Sequence, residues 1–187
     1  MQAEAGDTVF FGIGMIFTET TRLLFRSHQA RDEEEFVRMH TDAEVRRYVG
    51  GSAWSLEKAR DRFRKQHLGK PSRTYGLWAT VLKDEQKYIG CCGLRADHKS
   101  RAAHLAYYFA RPYWGQGFAM ESSKTLIKIA FERLQLGRLR ADVDEGNLAS
   151  RRILEKFGFK LAGREEVAAS VRVILLYELP APEGERK

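Results

Sequence analysis

The sequence contains few of the residues that crosslink a chain or bind metals. Only two cysteines occur among its 187 residues. Cys91 and Cys92 are adjacent in a strand-like run, and neighbouring strand residues point to opposite faces of a sheet, so a disulfide between them is not expected. Two thiols are also too few for a structural zinc site. We therefore expect free buried thiols, no metal ion and a reducing, cytoplasmic environment.

No apolar run is long enough to cross a membrane, which takes about 18 residues or more. Residues 8–17 are apolar, but this run is short and has no basic flank before it, so it is not expected to be a signal peptide. We expect residues 1–14 to be a flexible tail or an expression remnant, with Met15 as the natural start. Residues 15–187 would then form a single domain.

The charge pattern excludes one class of partner. Lysine and arginine exceed aspartate and glutamate, which gives a formal net charge of +7. The basic residues are spread along the chain and form no arm, so direct binding of nucleic acid is not expected. A solvated basic surface accounts for most of the excess, which would still help to attract an acidic ligand.

Apolar periodicity predicts one mixed α/β domain without internal repeats. The strand-like segments are residues 21–27, 75–83, 87–95, 104–110, 138–143, 159–161 and 171–179. Helical spacing or helix caps occur at residues 32–39, 44–49, 56–67, 120–134 and 147–157. Residues 84–86 predict a hairpin turn, and residues 163–170 predict a loop between the last two strands. We expect one sheet of about seven strands.

One stretch, residues 111–121, joins the fourth strand to the longest helical segment. Gly115 and Gly117 allow the backbone there to approach a ligand without a Cβ in the way. The helix that follows leaves its first N–H groups without internal partners and carries a partial positive charge at that end. The stretch therefore predicts a cradle for a phosphate or pyrophosphate group.

The sequence YWGQGFAMES, followed later by NLASRRILEKFGF, resembles the GNAT acetyltransferase superfamily. More narrowly, it is similar to the branch that contains ribosomal-protein-alanine N-acetyltransferases. The resemblance covers about residues 17–179 and implies an α/β (α+β) fold, with a mixed, mostly antiparallel, twisted sheet and helices on both faces. It also implies that the fourth and fifth strands, at residues 105–110 and 138–143, splay apart and hold acetyl-CoA between them.

The resemblance also implies a set of cofactor-binding residues. Backbone N–H groups of the glycine stretch would hold the pyrophosphate, and the end of the fourth strand would pair with the pantetheine arm. Asn147 would bind the cofactor from the start of the later helix, with Ser150 near the thiol. The full set is Phe109, Ala110, Arg111, Gly115, Gln116, Gly117, Phe118, Ala119, Asn147 and Ser150. By residue type alone, Asn147 is equally a helix N-cap and Ser150 a packing residue.

Acetyl transfer requires a neutral amine, donors for the developing oxyanion and a proton for the departing sulfur. Many family members have a tyrosine acid where this chain has Leu154, so Ser150 is our candidate proton donor. His104 is our candidate base, because an unperturbed imidazole titrates near neutral pH; a solvent-exposed histidine at a strand edge is the alternative. The backbone N–H near Phe109 or Ala110 is the candidate oxyanion donor.

Three functions remain open at this point. The first is an N-acetyltransferase of a protein N-terminus or similar primary amine, the second an acetyltransferase of a polyamine, amino acid or antibiotic, and the third a non-catalytic acyl-CoA sensor. Tyr48, Trp54 and Tyr107 are candidate acceptor-binding residues, although aromatic residues at such positions are also common in cores. The basic stretch 46–70 favours an acidic acceptor. Family members often dimerise, so a homodimer is a further expectation.

Overall fold

One mixed sheet forms the centre of the fold. The computed structural model describes residues 16–69, 75–97, 100–168 and 172–182. The strands are β1 (Ile16–Glu19), β2 (Leu23–Arg26), β3 (Gly76–Leu82), β4 (Lys87–Asp97), β5 (Ala102–Phe109), β6 (Arg138–Asp144), β7 (Lys160–Glu166) and β8 (Val173–Pro180). Their order in the sheet is β1-β2-β3-β4-β5-β6-β8-β7. Of the pairs between these strands only β5–β6 is parallel, which confirms the expected mixed, mostly antiparallel sheet.

Five α-helices connect the strands in the described residues. They are α1 (Glu33–Thr41), α2 (Ala43–Arg47), α3 (Leu56–Gln66), α4 (Phe118–Lys128) and α5 (Leu148–Lys156). A π-helical turn, Ile129–Arg133, extends α4 and matches the long helix expected there. Ser55 is the N-cap of α3, because its hydroxyl accepts the Lys58 N–H at 3.2 Å.

Helices cover both faces of the sheet, and β2 illustrates why. Leu23 and Phe25 lie in the larger apolar cluster, which also contains Leu126 of α4. Leu24, between them, lies in a second cluster with Phe36 of α1. Because side chains alternate across a strand, a continuous apolar run requires a partner on each face. We refer to the two sides as the α4–α5 face and the α1–α3 face.

Two parts of the sheet differ from the expectation. The sheet has eight strands because Ile16–Glu19 pairs with β2 as an edge strand. The loop expected at residues 163–170 was wrong at its start, since β7 continues to Glu166. This strand lies at the other edge of the sheet and is largely exposed, so its polar residues carry no alternating apolar signal. The tail expected at residues 1–14 lies outside the described residues.

The cysteine prediction is confirmed. Cys91 and Cys92 are both buried and free. They lie in different apolar clusters on opposite faces of β4. Burial raises the pKa of the Cys91 thiol to about 12, so the group is neutral at ordinary pH.

A buried ion pair fixes the connection between β2 and α1. The Arg26 guanidinium binds both Asp32 carboxylate oxygens, at 2.6 and 2.8 Å, and neither side chain is more than 2% exposed. The Gln29 N–H also donates to this carboxylate, at 2.8 Å. The bidentate geometry compensates for the removal of two charges from water.

Candidate active site

The sheet opens between β5 and β6. These parallel strands pair only at Ala102–Arg138, Ala103–Leu139 and His104–Arg140. Beyond this point β5 runs on to Phe109 beside β4, whereas β6 runs on to Asp144 beside β8. The strands therefore diverge and leave a gap through the sheet. This confirms the predicted splay, and it places the ends of β5 and β6 on either side of one cleft.

The glycine turn lies at the end of this cleft. Gly115 and Gly117 have φ values of 73° and 81°, in the left-handed region that favours glycine. Gly117 is the N-cap of α4, and no side chain in the described part of the chain caps this helix end. The first N–H groups of α4 therefore point outward without a protein cap, as an anion site requires.

Glu121 and Arg22 hold the glycine turn from behind. Arg22 donates to the Gln116 carbonyl at 3.0 Å and to the Glu121 carboxylate at 2.7 Å. Partial burial alone would raise the pKa of Glu121, but hydrogen bonds from Thr20 and from the Arg22 backbone and side chain lower it below its usual value. Glu121 is thus an anchoring carboxylate and is not available as a base.

The end of β5 makes contacts that limit its role. Trp114 donates its indole N–H to the Phe109 carbonyl at 2.7 Å. The Ala110 N–H donates to the Ile89 carbonyl, and the Ala110 carbonyl accepts the Tyr113 N–H, both at 2.9 Å. The Ala110 N–H is therefore engaged within the protein, and only its carbonyl oxygen has a lone pair left for a further hydrogen bond. Because the pairing with β4 alternates along β5, the Phe109 N–H points to the other side, into the gap.

Ser150 and Tyr107 meet on the α4–α5 face of the gap. Asn147 caps α5, and its side-chain oxygen accepts the Ser150 N–H at 3.1 Å. The Ser150 hydroxyl lies 2.7 Å from the Tyr107 hydroxyl. Both side chains are half-buried. Leu154, one turn further along α5, is 1% exposed and belongs to the core. Ser150 is therefore the hydroxyl that this part of α5 presents to the gap.

A cavity of about 720 Å³ lies on the α1–α3 face of the same gap. His104 and Asp142 line it where the strands begin to separate, with His104 Nδ1 3.2 Å from Asp142 Oδ2. Among the described residues this nitrogen has no partner in hydrogen-bond geometry. The 3.2 Å distance is nevertheless short enough for an ion pair when the imidazole is protonated. The other ring nitrogen, Nε2, takes no part in the contact with Asp142.

Tyr48 also borders this cavity, as expected, at the end of α2. Its carbonyl accepts a hydrogen bond from Arg172 at 3.2 Å, and Arg172 in turn binds Asp144 at 2.8 Å. Arg172 therefore joins α2 to the end of β6 across the cavity.

Trp54 lies in aromatic and cationic surroundings. Its ring stacks on His40, with centroids 4.5 Å apart, and the buried Arg46 guanidinium lies 4.4 Å over it. Trp54 is not among the residues that line the cavity beside His104. Its side chain packs between the helices of the α1–α3 face, so the aromatic pattern here reflects packing.

The described residues contain neither a metal-type cluster nor a membrane-spanning helix. No cluster of three or more histidine, cysteine, aspartate or glutamate side chains with the arrangement of a metal site occurs among them. No helix in the same part of the chain combines the length and apolar character needed to span a membrane.

Comparison with known proteins identifies the class to which this chain belongs. The sequence profile of the acetyltransferase (GNAT) domain matches residues 22–160. The protein is therefore an acyltransferase, and it belongs to the GNAT acetyltransferase family. The superfamily predicted from the two motifs is confirmed.

Named relatives agree with this assignment. The uncharacterized N-acetyltransferase p20 of Bacillus licheniformis is 28% identical over 84% of this chain and 91% of its own length. The uncharacterized N-acetyltransferase YoaA of Bacillus subtilis is 31% identical over 78% of this chain and 83% of its own length. A GNAT-family acetyltransferase structure from Bacillus anthracis superposes with a TM-score of 0.77 at 20% identity, covering 89% of this chain and 98% of the other. The names of these three proteins specify no acceptor.

Sequence reasoning missed three contacts of the site. The Tyr107–Ser150 and His104–Asp142 contacts join residues far apart in the chain, so no local spacing indicates them. The third is the contact of Arg22 with Glu121 and the glycine turn, since the sequence pattern predicts only a strand at residues 21–27. The signal that could have indicated this contact is the position of Arg22, a charged residue immediately before the apolar run of β2.

Proposed function

We propose that the protein is an acetyl-CoA-dependent N-acetyltransferase that acts on a primary amine, such as a protein N-terminus, by direct attack within a ternary complex. The single observation that carries this proposal is the gap between β5 and β6, which is lined by different chemistry on its two faces. A glycine turn and the Tyr107–Ser150 pair lie on one side, and a separate cavity with His104 lies on the other. Two substrates could therefore meet from opposite faces.

The residues of the glycine turn fit the cofactor that GNAT acetyltransferases use in general. A Cβ placed on Gly115 would meet nothing within 4 Å among the described residues, so the space beside the turn is open. Backbone N–H groups of Gly117, Phe118 and Ala119 would hold the pyrophosphate at the α4 N-terminus. The Phe109 N–H would pair with the pantetheine arm. Acetyl-CoA would supply an activated acetyl thioester at this position.

The α1–α3 face would hold the acceptor amine. His104 would accept the proton that the amine must lose, and Asp142, 3.2 Å away, would stabilise the imidazolium that forms. Binding both substrates in fixed positions supplies much of the acceleration in reactions of this kind, on the order of 7–11 kcal/mol in well-oriented cases. A base of modest strength is therefore sufficient.

The cavity does not favour an acidic acceptor. The arginines of α3 are not among its lining residues. Its charged lining consists of Asp142, Asp144, Glu165 and Glu178 together with Arg95, Arg140 and Arg172. Carboxylates thus outnumber arginines, which suits an amine that arrives protonated. The arginines of α3, which contribute much of the positive charge of the basic stretch 46–70, therefore give no support to an acidic acceptor in this cavity.

A small cationic amine is the second candidate, since the same carboxylates would attract it. The narrower resemblance to ribosomal-protein-alanine acetyltransferases supports the protein N-terminus, as does the extent of the cavity, whose lining reaches Glu165 of β7 and Leu176 of β8. A homodimer and a cytoplasmic location stay predictions of the resemblance.

A free-thiol release assay with acetyl-CoA tests the proposal. The acceptor panel contains N-terminal peptides, polyamines, amino acids and amine antibiotics, and calorimetry measures CoA binding in parallel. Turnover with N-terminal peptides would support the proposal, and turnover confined to polyamines or antibiotics would support the second candidate. Tight CoA binding without turnover on any acceptor would indicate a sensor. An absence of CoA binding would refute the cofactor assignment.

A further inference from the structure

The Tyr107–Ser150 contact brings together two hydroxyl groups that each have one proton to donate. Tyr107 lies on the diverging part of β5, three residues beyond His104, the last residue that pairs with β6. Ser150 lies in the first turn of α5, where the Asn147 cap fixes its backbone. The two oxygens are 2.7 Å apart, so one hydroxyl must donate to the other.

The relative acidity of the two hydroxyl groups indicates which one donates. A phenol is a stronger acid than an aliphatic alcohol and therefore a better hydrogen-bond donor, whereas the alcohol oxygen is the better acceptor. The stable arrangement is thus Tyr107 O–H donating to Ser150 Oγ. The Ser150 hydrogen must then point away from Tyr107. Because the core closes the side of α5 at Leu154, the open direction for this hydrogen is the gap.

We propose that Tyr107 is a positioning residue, which aims the Ser150 hydroxyl at the sulfur that leaves during acetyl transfer. This inference rests on the proposed function, and it adds a residue from β5 to the machinery expected on α5. Ser150 would contact the leaving sulfur, and Tyr107 would act through Ser150.

Acetyl transfer moves one acetyl group from sulfur to nitrogen. The amine nitrogen forms a bond to the acetyl carbon, and the carbon–sulfur bond breaks with its electron pair left on sulfur. The Ser150 O–H stabilises that negative charge by a hydrogen bond, without giving up its proton permanently. An amine that arrives protonated loses two protons: the first passes to His104 before the attack, and the second leaves the nitrogen for water after the bond to the acetyl carbon has formed. The thiolate gains one proton from water, which is favourable near neutral pH because a free thiol has a pKa of about 8.5.

The surroundings of Tyr107 suit a donor of hydrogen bonds. Burial raises its pKa to about 12, with the Ser150 hydrogen bond acting in the opposite direction. The phenol therefore stays protonated over the range in which an amine acetyltransferase would work. The orientation of Ser150 should then be independent of pH in that range.

The test uses Tyr107→Phe, Ser150→Ala and the double variant in the full chain. Thiol release gives kcat and KM for both substrates, calorimetry gives the Kd of CoA, and urea unfolding monitors the fold. We expect Tyr107→Phe to lower kcat about tenfold, since it removes one hydrogen bond that orients a charge-stabilising group, with the KM values and the Kd of CoA unchanged. The double variant should be no slower than Ser150→Ala alone.

Tyr88→Phe is the matched control. It also removes a buried tyrosine hydroxyl, but from β4 in the cluster on the α1–α3 face, and its kcat should equal that of the wild type. A wild-type kcat in Tyr107→Phe would overturn the inference, as would additive losses in the double variant or a loss confined to CoA affinity. If the wild-type chain releases no thiol with any acceptor, the proposed function fails, and this result is distinct from a failure of the Tyr107 assignment.

Discussion

Two buried histidines should make this fold sensitive to mild acid. His28 and His40 are 4% and 5% exposed and pack among aromatic rings on the α1–α3 face. Burial, with smaller contributions from His67, Arg26 and His40, lowers the pKa of His28 to about 2. Burial, with smaller contributions from Arg46 and His67, lowers the pKa of His40 to about 3. Both side chains are therefore neutral in the folded protein at any pH that it would experience.

The size of the loss in folding stability follows from the linkage between proton binding and unfolding. In the unfolded chain each histidine has a pKa near 6.5 and takes up a proton as the pH falls, whereas the folded protein does not. Stability is thus complete above about pH 6.5 and is lost progressively as the pH falls from 6.5 towards 3. Between pH 7 and pH 5 the loss is about 2 kcal/mol for each histidine, or about 4 kcal/mol for both. The result requires only that both folded pKa values lie well below 5.

Urea unfolding at pH 7, 6 and 5, followed by tryptophan fluorescence, measures this loss. The variant His28→Phe removes one titrating group from a site already lined by Phe36 and Phe63, and the difference in stability between pH 7 and pH 5 should shrink by about 2 kcal/mol. Val81→Ala is the control, since it opens a cavity in the same cluster without changing a titrating group and should lower stability about equally at both pH values. An unchanged pH dependence in His28→Phe would refute the reasoning.

Three other substitutions test separate parts of the structure. Asp32→Asn leaves the buried Arg26 charge uncompensated and should cost about 3–5 kcal/mol in urea unfolding at pH 7; a loss below 1 kcal/mol would show that the pair is not buried in solution. Gly117→Ala places a side chain at φ 81° and should weaken CoA binding about fivefold or more in calorimetry, with unchanged affinity as the contrary result. Trp114→Phe removes the indole hydrogen bond to Phe109, worth about 1 kcal/mol, and should weaken CoA binding several-fold; equal affinity would mean that the bond does not position the cleft.

The predictable parts of this protein are those coded by neighbouring residues. The glycine turn, its strand and its helix follow from Gly115, Gly117 and the apolar spacing after them, because left-handed backbone and helix ends have local signatures. The gap between β5 and β6 is an expectation of the family resemblance, whereas the order of the strands in the sheet has no local signature in the sequence. For Trp54 the residue type leaves both a cavity and a core position open, and its contact with Arg46 depends on how separate elements pack.

The sequence alone does not predict which face of the sheet each polar side chain of β5 points to. This arrangement depends on the pairing of β5 with β4. His104 and Tyr108 point to the α1–α3 face, and Tyr107 between them points to the other face. With a side-chain period of two, a register slip of one residue would exchange imidazole and phenol between the two sides of the cleft. Eight pairs with β4 fix that register, and at Gly90 a Cβ would overlap the Tyr108 carbonyl, so β4 must approach closely there. The end of β5 pairs with β4 and not with β6, so β6 can diverge after three pairs. The cleft therefore forms while the pairing with β4 keeps each side chain of β5 on its own face of the sheet.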